Sequence, residues 1–359
     1  MSSGKNRHKL RVCYWPGRES SYSRTRVILR GLKQAGIKVY DCSSEGKTFA
    51  RFFKGFIKFL SVKEKSDLIL VGFFGHFLVL VVRLFTRKKI IFDAFVSVYQ
   101  TMVIDRRVFK TKGILSCWAR MIDSLACRLA EKVLLDTAQH INYYIQEYGL
   151  TRSKFLKLPA SADDSVFYPR TEKSGGEFMV HFHGEFQRLH GTGCILKAAS
   201  LLPDVKFQIV GKGRKFAAGR SQALSQGLTN VNFHPAVTYE HLAELMSEAS
   251  VCLGIFGETQ KAGMVIPHKV YEALALGKAV ITADTPGARE LLENGKTAVL
   301  CPPGDPQALA AAILMLKNDE PLRRSLGIRG RALFEKNCLP EILGKQLTSW
   351  MAEVLRDSN

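Results

Sequence analysis

Short apolar runs alternate along the chain with longer stretches in which apolar side chains recur every three or four positions. The runs of the first half are LRVCYW (10–15), IKVYDC, DLILVGFF, KIIFDAF, KVLLD and FLKLP, with a helix predicted over Ser23 to Ala35. Runs of this length suit strands buried on both faces, and their alternation with helices predicts a parallel α/β sheet covered on both sides. The polar stretch YPRTEKSGG interrupts the pattern, which then restarts with FMVHFHG, VKFQIVGKG, VNFHP, SVCLGIFG, KAVITAD and TAVLCPP. This predicts two doubly wound α/β domains facing each other across a cleft: one over 1–170, a linker at 171–176, a second over 177–338, and a C-terminal helix over 339–359 packing back on the first domain. Open sheets of this kind bind ligands at their carboxyl edges.

The 359 residues suit two domains, and 46% hydrophobic residues with mean hydropathy near zero exclude a disordered chain. No apolar run is long enough to span a bilayer, since Leu68 to Phe85 is broken by His76 and Arg83. The amino terminus lacks an apolar core followed by a cleavage site, so no secretion signal is read. Eight cysteines without CxxC spacing indicate neither zinc nor a disulfide framework and fit a reducing cytoplasm. Charge is uneven: residues 1–170 hold 31 Lys and Arg against 13 Asp and Glu, the remainder 21 against 19. The basic first half points to nucleic acid, an anionic membrane or phosphorylated ligands.

The segment IPHKVYEALALGKAVITAD (266–284) carries the most chemistry. Pro267 suits the first turn of a helix and Gly277 its end. A phosphate can sit at that helix amino terminus, with Val270 in its first turn and Lys269 adding a full charge. Glu272 is placed to accept hydrogen bonds from ribose hydroxyls, although an acid there also simply suits the helix dipole. In FHGEFQRLHGTG, a strand, a loop from Gly184 to Gly191 and a helix from about Thr192 form a phosphate cradle or an ordinary tight connection, with Arg188 and His190 as side-chain donors. Gly17 and Arg18 stand where the first crossover helix begins.

The run KVYEALALGKAVITADTPGARELLENGKTAVLCPPGDPQALAAAI, with HGEFQRLHG, VLLDTAQH, PASADDSVFYP and PGRESSYSRTRVILRGLKQAGIKV, resembles the family 4 glycosyltransferases. These are retaining enzymes of GT-B architecture. The resemblance implies that Glu272 holds the donor ribose, that the Gly184 to Gly191 loop faces the diphosphate, and that Gly17 lies against the donor phosphates from the other domain. The chain departs from the family at Met264, where a second glutamate is usual and for which Glu258 is the candidate substitute. It departs also at Glu185 and His190, in place of arginine and lysine, and at Asp93, in place of a first-domain histidine.

The expected activity is sugar transfer from a nucleoside diphosphate sugar to a lipid-linked or cell-surface glycan acceptor. Lys269, Arg188, His190 and Asp93 are the catalytic candidates. His190 is expected to bring positive charge to the leaving diphosphate. No cofactor and no essential metal are expected. His76 reads equally as an acceptor contact or a packed histidine. Between 48 and 65, Phe52 and Phe56 recur at helical spacing beside Lys54 and Lys58, which predicts contact with an anionic membrane and a peripheral, cytoplasmic location. A core-facing helix with a solvated basic face is the other reading. The competing functions are a basic nucleic-acid-binding protein, disfavoured because no helix-turn-helix or RNA-recognition spacing is present, and a GT-B epimerase.

Overall fold

The computed structural model describes residues 10–46, 48–170 and 177–356; the predicted linker at 171–176 lies outside them. All twelve predicted runs form strands, and both sheets are wholly parallel. The first sheet contains β1 (Arg11–Pro16), β2 (Lys38–Asp41), β3 (Leu68–Gly72), β4 (Ile90–Asp93), β5 (Lys132–Leu135) and β6 (Phe155–Lys157), in the order β2-β1-β3-β4-β5-β6. The second contains β7 (Met179–Gly184), β8 (Lys206–Gly211), β9 (Val231–Pro235), β10 (Val251–Leu253), β11 (Ala279–Ala283) and β12 (Val299–Cys301), in the order β12-β11-β10-β7-β8-β9.

The strands are apolar on both faces because helices cover both. Val12, Tyr14, Leu68 and Leu70 point towards α1 (Ser23–Gln34) and the C-terminal helix. Cys13, Trp15, Ile69 and Val71 point towards α2 (Thr48–Val62), α3 (His76–Phe85), α4 (Ile114–Leu129) and α5 (Ala138–Tyr148). On the second sheet, α6 (Thr192–Ser200), α7 (Arg214–Ser225) and α11 (Pro306–Asn318) cover one face, and α8 (Tyr239–Glu248) and α10 (His268–Ala275) the other. The short α9 (Gln260–Met264) precedes α10, and α12 (Glu320–Asn337) packs against α10 and α11. The last helix, α13 (Pro340–Arg356), crosses back to lie against α1.

In each sheet the chain leaves in opposite directions from two neighbouring strands, β1 and β3 in the first and β7 and β10 in the second. The loops after such strands diverge and leave a crevice at the carboxyl edge. Gly17 follows β1 there and donates to Phe73 O at 3.0 Å; a Cβ would stand 2.3 Å from Phe74 O, so only glycine permits this approach.

Polar bonds join the two halves. Glu290 accepts from Ala138 N and Gln139 N, both at 2.8 Å, so a carboxylate of the second half caps α5 of the first. Thr137 Oγ1 donates to Met264 O at 2.6 Å, and His268 Nδ1 lies 3.1 Å from Ser161 O.

Three expectations for the first domain change. Asp93 does not reach the cleft: it is fully buried, and Arg24 donates to it through Nε at 3.0 Å and a second nitrogen at 2.9 Å. The Arg24 guanidinium also bonds the carbonyls of Pro159, Ala160 and Leu158, so the pair ties α1 to β4 and to the chain after β6. His76 lies beneath the helix layer, with Nε2 3.1 Å from Asp123 Oδ1 and its ring edge-on to Phe92, so it is the packed histidine; burial holds its pKa below the ordinary value. In α2, Phe52 and Phe56 turn inward onto Trp15 at ring distances of 5.7 and 6.2 Å, and Lys58 donates to Ser43 O. The outward apolar side chains are Phe49, Phe53, Ile57 and Leu60.

Removing one partner of a buried pair leaves a bare charge, at a cost of about 3 to 5 kcal/mol. Asp93→Asn is therefore expected to lower the unfolding free energy in chemical denaturation by that amount. A loss below about 1 kcal/mol, the usual value of an exposed pair, would contradict this account of the Arg24 site.

Candidate active site

The crevice of the second sheet is built by three segments. After β7 the chain runs through Gly184 into a single turn at Arg188–His190, then through Gly191 into α6. After β10, Phe256 N donates to His190 O and Gly257 N to Leu189 O, both at 3.1 Å, which fixes that turn against its neighbour. The third segment is α10, which begins after Pro267, the capping residue rather than a first-turn residue.

Lys269, in the first turn of α10, is buried, and its Nζ sits 4.0 Å from the centre of the Phe182 ring. Among the described residues it has no hydrogen-bond partner. Burial pushes its pKa down to about 7, with Glu272 opposing the shift. A Cβ at Gly184 would lie 3.1 Å from this amine and 2.8 Å from His190 Cε1, so the glycine keeps open the space between them. One helical turn beyond Lys269, Glu272 is also buried, with Oε2 3.1 Å from His183 Nε2. Burial alone would raise the Glu272 carboxyl; the His183 hydrogen bond and charge outweigh it and hold the pKa below the usual value.

His190 corrects the charge expectation. The residue is half-buried with its Nδ1 out of solvent, and burial first, then the nearby Lys269, hold its pKa well below the ordinary histidine value. Its Nδ1 is unpartnered among the described residues, and the lowered pKa favours the neutral ring.

The other candidates are more dispersed. Arg188 lines an outer cavity of about 420 Å³ with Lys215 and Gly191, between the glycine turn and α7. Val270 packs its side chain into the core near Gly254. Met264 is buried among apolar side chains, while Glu258 lies against Gly304 in the turn after β12, where a Cβ would come 2.6 Å from its carboxyl carbon. Arg18 pairs with Glu19 at 2.8 Å and lies over the Tyr22 ring. With Gly17, Arg51, Trp15 and Phe77 it borders a cavity of about 460 Å³ in the first domain.

Several residues at the cleft went unread in the sequence. Lys261 of α9 is buried and donates to Thr101 Oγ1 at 2.9 Å; burial lowers its pKa to about 8. His268 stands beside Phe95 and Tyr22. His183 was legible only as one of two histidines on alternate positions of a strand, which must share a face.

Two parallel doubly wound sheets with ligand crevices at their facing edges define the GT-B class, and the comparisons agree. Sucrose-phosphate synthase from Thermosynechococcus elongatus superposes with a TM-score of 0.74 at 17% identity, over 98% of this chain and all of that one. Anabaena HepE, solved in complex with UDP-glucose, gives 0.73 at 15% identity over 96% of this chain and 100% of its own. Residues 167–333 match the profile of glycosyl transferases group 1. Similar curated proteins include N-acetyl-alpha-D-glucosaminyl L-malate synthase of Bacillus anthracis, 28% identical over 43% of this chain and 39% of the relative. D-inositol 3-phosphate glycosyltransferase of Corynebacterium jeikeium is 26% identical over 59% of this chain and 54% of its own. The chain thus spans about half or less of the length of these two relatives.

A buried amine without a counter-ion destabilises the folded state wherever it is protonated. With its pKa depressed, Lys269 withholds stability fully below pH about 7 and restores it progressively towards the unfolded lysine value near pH 10.4. Lys269→Met is expected to raise the thermal midpoint of the ligand-free protein, most at pH 6 and least at pH 10, and to abolish stabilisation by nucleoside diphosphates. Denaturation at both pH values, with and without nucleotide, checks this; a variant less stable at both and still stabilised by nucleotide would contradict it.

Proposed function

We propose that this protein transfers a sugar from a nucleoside diphosphate sugar to a lipid-linked or glycan acceptor, with retention, at an anionic membrane surface on the cytoplasmic side. The observation that carries the reading is the Lys269 amine, without a partner among the described residues and buried at the start of α10 one turn before Glu272. This pairing suits a diphosphate on the amine and a ribose on the carboxylate. As the sugar C1–O bond to the diphosphate breaks, negative charge grows on the departing oxygen, and a fixed cation in a dry site stabilises it. The acceptor oxygen bonds C1 on the same face, and its proton passes to the departing phosphate oxygen. Asp93, engaged by Arg24, takes no part. The reading needs no metal, because Lys269 and the backbone N–H groups at the start of α6 meet the charge.

The membrane half of the proposal rests on one helix layer. Phe49, Phe53, Ile57 and Leu60 on α2, Phe77, Leu84 and Phe85 on α3, and Ile114, Leu115, Trp118, Met121 and Leu125 on α4 are all exposed. Residues 48–129 contain 15 Lys and Arg against five Asp and Glu, and three of those acids, Asp93, Asp105 and Asp123, are buried. An apolar face rimmed almost solely by cations suits an anionic bilayer, where each basic residue contributes about 1 kcal/mol.

Glu272→Ala is expected to stay folded and to reduce donor use about ten- to a hundredfold, the value of a hydrogen bond to a charged group. Release of nucleoside diphosphate from a panel of nucleotide sugars measures this; unchanged turnover would remove the assignment. In vesicle flotation the protein should rise with anionic and not with neutral liposomes, and the combined change of Phe49, Phe53 and Ile57 to serine should abolish recovery. Equal recovery on both vesicles would refute the membrane reading.

A further inference from the structure

His183 and His181, on alternate positions of β7, point to the same side of the sheet and continue into Glu272 as one row of contacts. His181 Nδ1 lies 2.7 Å from Gln208 Oε1 on β8, His181 Nε2 lies 3.2 Å from His183 Nδ1, and His183 Nε2 lies 3.1 Å from Glu272 Oε2. The Glu272 carboxylate can only accept, so across that contact His183 Nε2 is the donating atom. His181 is fully buried, and burial lowers its pKa to about 3, which keeps it neutral.

We infer that His183, anchored through His181 and Gln208, is the positioning residue that orients the Glu272 carboxylate and sets how strictly the site distinguishes a ribose from a 2′-deoxyribose. The inference rests on the reading of Glu272 as the ribose contact. A carboxylate on a helix side chain rotates about its last bond unless one oxygen is tied down. The His183 contact holds one oxygen of a carboxylate that Tyr239 also adjoins, and on this inference the other oxygen accepts from a sugar hydroxyl. The histidine acts through Glu272 and touches no reacting atom. Its anchor is rigid because β7 and β8 are paired from Met179↔Lys206 to Gly184↔Gly211, which carries His181 and Gln208 at matched positions of adjacent strands.

The test compares binding of the four common ribonucleoside diphosphates with that of their 2′-deoxy counterparts, by calorimetry, for the natural protein and three variants. The natural protein should prefer the ribose form by about tenfold or more, the size of one hydrogen bond to a charged group. His183→Phe keeps the ring and loses the donor, and should bring the preference close to one. His183→Asn, polar but too short to reach Glu272, should do the same and serves if the Phe variant does not fold. His183→Gln restores an N–H donor within reach and should recover most of the preference. If the natural protein discriminates and the Phe and Asn variants discriminate equally well, the positioning role is overturned while the ribose reading stands. If the natural protein binds both forms equally, or binds none of the nucleotides, the ribose reading of Glu272 fails and the inference with it.

Discussion

A primary amine taken out of water destabilises a folded protein unless another group answers its charge, and the cleft is organised around one such amine. Lys269 is brought to the end of β7 by α10 and is screened from solvent by Phe182 and the turn that follows Gly184. The ring face of Phe182 offsets part of the cost, while Glu272, the nearest acid on the same helix, is engaged by His183. Other buried cations of the chain are answered within the protein. Arg24 has Asp93 and three carbonyls, and Lys261 has Thr101 with Asp105 close by. Lys269 differs because its natural counter-charge, on the proposed reading, is the diphosphate of a donor.

The way the two halves are joined supports that arrangement. The carboxylate of Glu290 caps α5 from the opposite domain, Met264 O accepts from Thr137, and His268 is held at Ser161, so the junction of α9 and α10 is tied to the first domain. The C-terminal helix α13 then crosses back onto α1. The His268 contact holds the first residue of α10, next to Lys269, against the first domain.

The strands were legible because parallel sheets bury both faces and so leave continuous apolar runs, which is why all twelve could be read from the sequence. Lys269 and Glu272 were legible through the Pro267 to Gly277 frame of their helix. The misread residues share a physical cause: the deciding partner is remote in sequence. Asp93 ends its strand as a cleft carboxylate would, and only Arg24, 69 positions away, shows that it is a structural anion. The stretch 48–62 carries phenylalanines on two faces, so helical spacing alone cannot choose between them. Trp15 chooses, by taking Phe52, Phe56 and Phe59. His190 occupies a position that reads as a cation, but its Nδ1 lies out of solvent near a lysine, and that surrounding is a property of the fold.

The central claim is that the Lys269 amine is the donor diphosphate's cation, and the most direct measurement is the crystal structure of the protein with a bound nucleoside diphosphate. The account predicts a phosphate oxygen within hydrogen-bond distance of Lys269 Nζ and the ribose hydroxyls on Glu272. A nucleotide held instead in the outer cavity by Arg188 and Lys215, with Lys269 still without a partner, would contradict it.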